Sequence, residues 1–529
     1  MDGMEGAEGV RLRNNQGRLK PIVTKRTGGV GFVGEDETTA VGSKEAEPLS
    51  PGARMFHEPN FNVYVIAIIG CKTPIFPQVV KANLVHTLLK HYRFCSLQVK
   101  DDGNGGQMKW VRTEVDLDNH VIVPEVDPTT LTTSPEKFIE DYIFDLSKTS
   151  IPYSKPLWDI HLLNLKTSDA ESVCILRVHH SVGDGTSLIS LLLACTRKTS
   201  DPAALPTVPV KKAKEKVPTS GAGSGSGSYE YCWSQFLTVW WVLRMLWNTV
   251  VDVVMFAATA WFLKDTETPL KGPPGIEFTP RRFVHRTVSL DDIKLIKNAM
   301  NTTINDVALG VAQAGLSKYL NRKYGQGKEE KAMEKKNNLL EKIRLRSTLL
   351  INLRPTGMQA LADMMEKESE AKWGNWIGFV VLPFTIGLRD DPLDYVREAK
   401  ATIDRKKHSF EALFTFYLSD IFLKLFGIKS AGALSHRIIE HTTMCFSNLV
   451  GPLEDISFYG HPIAYLAPSS YGQPHALMMN FQSYVNKMSI VLSVDEGTIP
   501  DAHQLCEDLV ESLNLIKHAV VSRGLVKAT

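Results

Sequence analysis

The stretch FLTVWWVLRMLWNTVVDVVMFAATAWFL, Phe236 to Leu263, lies in the middle of the chain and limits every fold the rest can adopt. It is the most hydrophobic part of the sequence, and about 20 such residues suffice to cross a bilayer. Arg244, Asn248 and Asp252 recur at every fourth position, so on a helix they drift only about 40° per step and form one polar stripe. Ser234 and Thr259 fall on the same side. An arginine near the centre of a spanning helix costs about 3 kcal/mol on insertion scales unless it pairs or packs on protein. Trp240, Trp241, Trp247 and Trp261 supply interfacial anchors, and Lys211, Lys212, Lys214 and Lys216 just upstream attract anionic headgroups. The expectation is a helix lying in or dipping into one leaflet, with a full span and a buried core helix as the alternatives.

The flanks divide around this segment. Residues 1–46 are rich in Gly, Glu, Thr and Lys without hydrophobic periodicity, the composition of a disordered tail. Folded sequence begins near Glu47, and Val63 to Ile69 is apolar on both faces, as in a buried strand. PLWDIHLLNL and SVCILRV, joined by the polar KTSDAE, predict an antiparallel hairpin, and TSLISLLLACTRK predicts a helix capped by Thr186 or Ser187. These elements make a first half, 47–206. A Lys-rich and then Gly/Ser-rich stretch, 207–228, has linker composition and leads into the hydrophobic segment at 229–266. The second half, 267–529, opens on two helices with capping boxes at Ser289/Asp292 and Thr303/Asp306, and closes on the helical HQLCEDLVESLNLIKHAVVSRG.

Composition excludes several functions. Sixty basic against 58 acidic residues leave no wide electrostatic surface for nucleic acid. Seven scattered cysteines without a CxxC pair disfavour a disulfide framework and a metal cluster, and fit a reducing compartment. The N-terminal MDGMEGAEGVRLRNNQGRLK has no apolar core of a secretory signal.

Chemistry concentrates in RVHHSVGDGTSL, Arg177 to Leu188, at the end of the predicted hairpin. Neighbouring histidines on a strand point to opposite faces, so they rarely share a metal. One imidazole acting as general base uses the pattern better, since near neutral pH it can take a proton from an alcohol when its orientation is fixed. Asp184 is a candidate to orient the ring or to hold the turn, and Gly185 to permit a backbone conformation closed to other residues. Two polar histidines at a strand end followed by a plain turn is the alternative.

HHSVGDG at His179 to Gly185 matches an HHxxxDG signature, preceded by PLSPGARMF (48–56) and PLWDIHLL (156–163) and followed by NDVALG (305–310), WGNWIGFVVLP (373–383) and SNLVGP (447–452), in the order the resemblance expects. Through these blocks the chain resembles the wax ester synthase/diacylglycerol acyltransferase family, within the superfamily of CoA-dependent acyltransferases, over nearly all of Pro48 to Gly524. The resemblance implies an α/β fold of two similarly folded halves, with mixed sheets flanked by helices and a central tunnel between them. It implies acyl-CoA entering from one side and a hydrophobic alcohol from the other. His180 becomes the base, His179 an accessory position, and Asp184 and Gly185 structural members of the motif. Asn448, Ser447 and Asn305 become candidates to contact substrate or the oxyanion, although Asp306 next to Asn305 already serves as a capping carboxylate and NLVGP also reads as a turn ending a strand. The DFGWG element of soluble plant acyltransferases with small acceptors is absent.

The expected reaction moves a long-chain acyl group from acyl-CoA to a fatty alcohol, giving a wax ester, or to diacylglycerol, giving triacylglycerol. Acyl-CoA is a co-substrate, and no metal or redox cofactor is required. Arg344, Arg346 and Arg354 are candidates for CoA phosphates or else for surface ion pairs. The expected partners besides substrates are membrane lipids, and the expected location is the endoplasmic reticulum membrane with both halves facing the cytosol, the plasma membrane being an alternative. His180 precedes the hydrophobic segment and Asn305 and Asn448 follow it, so a single crossing would split one active site across a bilayer. The sequon NTT at Asn301 reports on this. A membrane-bound lipid carrier on the same fold without turnover, and a soluble acyltransferase for small polar acceptors, are the competing readings.

Overall fold

The computed structural model describes residues 47–101, 107–126, 133–207, 227–326, 337–352 and 377–525. The expected tail 1–46, Lys211, Lys212, Lys214 and Lys216, and Arg354 lie outside the described residues.

Two mixed sheets carry the architecture. The first orders its strands Val121–Ile122, Trp158–Leu163, Ser172–His179, Tyr64–Cys71, His461–Tyr471, Ile456–Phe458 and Thr196–Lys198. Tyr64–Cys71 sits in its middle, with Ile66, Ile68 and Ile69 buried, as a run apolar on both faces requires. The predicted hairpin forms: Trp158–Leu163 pairs antiparallel with Ser172–His179. The second sheet runs Ile377–Phe384, Leu345–Asn352, Met444–Leu449, Leu477–Tyr484, Lys487–Val494 and Arg282–Ser289. Each sheet has its own buried core, one around Trp158, Ile66 and Leu193, the other around Leu309, Leu492 and Leu509.

The sheets do not follow the division expected at 206 and 267. The segment 456–471 leaves the second half and completes the first sheet, so that Ile69 pairs with Leu466 and Tyr64 with Tyr471. Both sides of the hydrophobic segment therefore share one hydrogen-bonded sheet. A single complete crossing by that segment would have to separate strands that are bonded to each other.

The segment itself is the helix Gly227–Trp261, long and apolar enough to cross a membrane on length and composition alone. Its polar stripe meets protein for part of its length. Asn248 Nδ2 donates to the His408 carbonyl at 3.1 Å, and the buried Asp252 pairs with Arg405 and Lys406 at 2.8 and 2.9 Å. Arg244 stays exposed. At the C-terminal end Arg346, only 4 % exposed, binds Asp265 at 2.6 Å and the carbonyls of Leu263 and His441. Arg346 therefore ties down the helix and is not available to CoA phosphates; its apparent place in a basic surface run gives way to a carboxylate far away in sequence. The other flank carries Trp240, Trp241, Trp247, Val250 and Val254, all exposed.

A second helix, Glu411–Glu440, packs beside the first and also turns large apolar residues outward, including Tyr417, Ile421, Leu425 and Phe426. It breaks at Gly427, where φ 77° and ψ 175° lie outside the reach of residues with a Cβ. The capping expectations hold at Thr303, whose side chain and Asp306 form the reciprocal box, and at Ser289, which accepts from the Asp292 N–H.

Candidate active site

A cavity of about 190 Å³ opens between the two sheets. From the first come Val65 and Ala67, Leu176 and Val178, and the stretch Leu466 to Ser470; from the second come Thr348, Phe379, Ser447, Met478, Asn480 and Gln482. Alternation explains the pairs Val65 and Ala67 and Leu176 and Val178 and the set Met478, Asn480 and Gln482, because residues two apart face the same side, whereas Leu466 to Ser470 lines the cavity as a continuous run. His180, Asp184 and Gly185 line it where the hairpin strand ends. Most of the lining is apolar, with a few polar groups converging, as a site for a greasy substrate demands.

His180 is held on three sides. Its backbone N–H donates to the Val63 carbonyl at 2.9 Å, its ring stacks on Phe56 with centroids 4.2 Å apart, and the next turn is pinned by the helix behind it. That helix, Gly185–Ala194, is capped by Asp184, whose carboxylate accepts from the Ser187 N–H at 2.9 Å. The cap is thus two residues before Thr186 and three before Ser187, since a carboxylate satisfies the first-turn donors and favours the positive end of the helix. Gly185 needs no left-handed backbone: it sits at the first helical position, and a Cβ there would meet open space.

His179 points away from the cavity into a buried polar cluster. Its ring contacts Ser181 Oγ at 2.6 Å and Asn62 Oδ1 at 3.1 Å, and Ser181 Oγ donates to Gln98 Oε1 at 2.9 Å. Burial, reinforced by the neighbouring His57 and His180, holds the His179 imidazole well below its ordinary pKa. Burial likewise holds His57 at about 4, against the hydrogen bond it donates to Gln98 Oε1, and His475 at about 3. These rings are neutral when folded and take up protons when unfolded. Stability from them is complete above about pH 6.5 and is lost as pH falls toward 4. The thermal unfolding midpoint, followed by tryptophan fluorescence, is expected to be level above pH 7 and to drop steadily from pH 6.5 to 4.5; a level profile across that window would contradict neutral burial.

The second-half candidates separate. Ser447 lines the cavity, and its strand partner Asn480 lines it too, hydrogen-bonded to Ser469 at 2.8 Å. Asn448 is not among the lining residues; its side chain donates to Asn305 Oδ1 instead. The pair joins the strand Met444–Leu449 to the start of the helix Ile304–Gly325. The turn in SNLVGP is equally constrained, because a Cβ on Gly451 would lie 2.1 Å from the Ser483 carbonyl oxygen. Cys445 also lines the cavity, with its thiol pushed up to about 11 by burial and so uncharged near neutrality.

Phe56, Asn480, Gln482 and Ser469 were not singled out in the sequence. Phe56 closes the quoted block PLSPGARMF, and Asn480 and Gln482 are polar residues two apart in the otherwise apolar MMNFQ, a spacing that marks one face of a strand.

Residues 58–308 match the wax ester synthase/diacylglycerol acyltransferase catalytic domain, and residues 373–517 match the WS/DGAT C-terminal domain. The chain is 51 % identical to wax ester synthase/diacylglycerol acyltransferase 11 of Arabidopsis thaliana, over 93 % of this chain and 99 % of that protein. It is also 51 % identical to wax ester synthase/diacylglycerol acyltransferase 5 of the same plant, over 91 % and 95 %. In fold it resembles the wax ester synthase/diacylglycerol acyltransferase from Marinobacter aquaeolei, with a TM-score of 0.55 at 17 % identity, covering 90 % of this chain and 100 % of that one. The first condensation domain of the calcium-dependent antibiotic synthetase gives a TM-score of 0.55 at 11 % identity, covering 92 % and 99 %.

Proposed function

Because the chain belongs to the wax ester synthase/diacylglycerol acyltransferase family and is an acyltransferase acting on acyl-CoA and an alcohol or diacylglycerol, we propose that His180 is its general base. The observation that carries this is the imidazole of His180 on the wall of an apolar cavity between the two sheets, its ring stacked on Phe56 and its backbone N–H bonded to the Val63 carbonyl. His180 takes the hydroxyl proton as the acceptor oxygen bonds to the thioester carbonyl carbon. The tetrahedral oxyanion then collapses, the C–S bond breaks, and the imidazolium returns the proton to the CoA thiolate. Ser447 and Asn480 are the side chains we assign to the oxyanion, being polar, adjacent in register and on the same cavity wall. Acyl-CoA is consumed as a co-substrate and the step as written requires no further cofactor. Asp184 acts through the turn it caps, and His179 through the cluster beneath it. The test is transfer of label from palmitoyl-CoA to hexadecanol and to diacylglycerol, wild type against His180→Ala.

The outer surface supports a membrane location. The exposed flank of Gly227–Trp261 and that of Glu411–Glu440 together form a broad apolar face too large for an ordinary monomer surface. We assign it to one leaflet of a membrane, entered and left from the same side, with the endoplasmic reticulum and a cytosolic orientation as the reading. Asn301, exposed between its two helices, then stays unglycosylated in cells. Trp247→Glu combined with Val254→Glu is expected to lower co-flotation with anionic liposomes by at least about tenfold, with the unfolding midpoint unmoved. Undiminished flotation, or a glycan on Asn301, overturns this arrangement.

A further inference from the structure

Ser447 and Asn480 occupy one level of the catalytic cavity, because they are register partners on the parallel strands Met444–Leu449 and Leu477–Tyr484. Two residues further along each strand, Leu449 and Gln482 are again partners and again line the cavity; two residues back, Cys445 and Met478 do the same. The two strands therefore grade the cavity in steps of about 6.6 Å. One residue past Leu449 the chain reaches solvent at Val450, 46 % exposed, so the level of Leu449 and Gln482 lies toward that surface.

Gln482 is wholly buried. Its Nε2 donates to the Ser483 carbonyl at 2.9 Å, which fixes the end of the side-chain amide that is oxygen. That oxygen, Oε1, is buried and meets no donor among the described residues. Gly451 makes the pose possible, since a Cβ there would lie 2.7 Å from Gln482 Nε2. A bare acceptor in a buried wall is costly unless a ligand brings the hydrogen.

Acyl-CoA brings one. Sulfur, two methylenes and an amide N–H follow the thioester carbon, and in an extended chain the nitrogen lies about 5 Å from that carbon. With the thioester carbonyl at Ser447 and Asn480, this amide falls close to the next level, and a hydrogen bond of about 2.9 Å reaches the wall. A fatty alcohol or diacylglycerol cannot serve instead, because its one hydroxyl proton is committed to His180.

We propose that Gln482 Oε1 accepts the first amide N–H of the pantetheine arm, so that it selects the donor and stops its thioester at the level of Ser447 and Asn480. The proposal rests on the assignment of His180 as base and of those two side chains to the oxyanion. The amide belongs to pantetheine and not to the nucleotide, so a short donor that keeps it carries the same mark.

Two octanoyl thioesters test this with the purified full chain and hexadecanol. One is formed on N-acetylcysteamine, and the other on 2-mercaptoethyl acetate, which has an ester oxygen in place of the N–H. Wild type is expected to favour the amide donor at least about tenfold in kcat/KM, and Gln482→Leu to bring the two within about twofold. With octanoyl-CoA the same variant is expected to lose about tenfold, mainly through KM, since the contact is made equally before and during acyl transfer. Equal use of both donors by the wild type overturns the proposal without any variant, and a preference that survives Gln482→Leu overturns it by giving the amide to another partner. His180→Ala slows both donors alike, so turnover in that variant judges the base, whereas the donor ratio alone judges Gln482.

Discussion

Replacing His180 by alanine is expected to lower kcat for ester formation by about 10²–10⁴-fold, the usual contribution of a positioned general base. KM for palmitoyl-CoA should remain within about threefold, since the proposed base meets the reacting atoms rather than the nucleotide or the acyl tail. The loss should be the same with hexadecanol and with diacylglycerol, because proton removal is common to both. His180 lies where a strand ends and packs on one aromatic ring, so removing its side chain leaves the His179 cluster and the Asp184 cap in place. An unfolding midpoint close to wild type is therefore part of the expectation. A fully folded variant with undiminished turnover would end the general-base account.

The largest expected loss of stability is at Arg177, two residues before the motif. Its guanidinium binds Asp159 in parallel, Nε to Oδ1 at 2.9 Å and Nη2 to Oδ2 at 2.6 Å, and its Nη1 donates to the carbonyls of Leu146 and Thr149. Arg177 is 5 % exposed and Asp159 1 %. Burial alone would raise the Asp159 carboxyl, but hydrogen bonds from His161 and Arg177 outweigh it and hold the group at about 2. Removing one member of such a buried pair leaves the other charge uncompensated, at about 3–5 kcal/mol. Arg177→Ala is therefore expected to lower the urea-unfolding free energy by that amount at pH 7. The depressed pKa fixes the sign of the pH dependence: the stabilisation is present above about pH 3.9 and is lost as pH falls through 2. Adding Asp159→Asn should recover part of the loss at neutral pH. A cost below about 1 kcal/mol for Arg177→Ala, typical of exposed pairs, would show that the pair is not anchoring the strand that carries the histidines. The block PLWDIHLL thereby acquires a physical reason, since its aspartate is the counter-ion of the motif strand.

Local features were legible in the sequence. The run at Val63–Ile69, the hairpin before the histidines, the box at Thr303 and the side-chain cap at Ser289 each depend on residues within a few positions, and each is found, although at Ser289 only the serine half of the expected box forms. The polar stripe of the hydrophobic helix was read from spacing alone, and Asn248 and Asp252 do face protein. Features set by distant partners were not legible. Arg346 stands in a run that looks basic and exposed, and only the fold brings Asp265 to it. Asn448 and Ser447 differ by one position, and strand pairing decides that Ser447 faces the cavity while Asn448 meets Asn305. The second exposed helix escaped notice because Gly427 and Lys424 interrupt its apolar pattern, which is continuous only in three dimensions.

The insertion of His461–Tyr471 beside Tyr64–Cys71 also governs how the protein is born. At about 5–20 residues per second, roughly 20–80 s separate synthesis of the two strands. Throughout that interval one edge of an almost wholly apolar strand waits on the ribosome for a neighbour that does not yet exist. Such an edge invites wrong pairing between nascent chains, so holdase chaperones are the natural custodians of the early product. Catalytic competence then begins only when translation is nearly over, and a transcript cut short upstream of codon 456 yields an aggregation-prone fragment rather than a weakened enzyme.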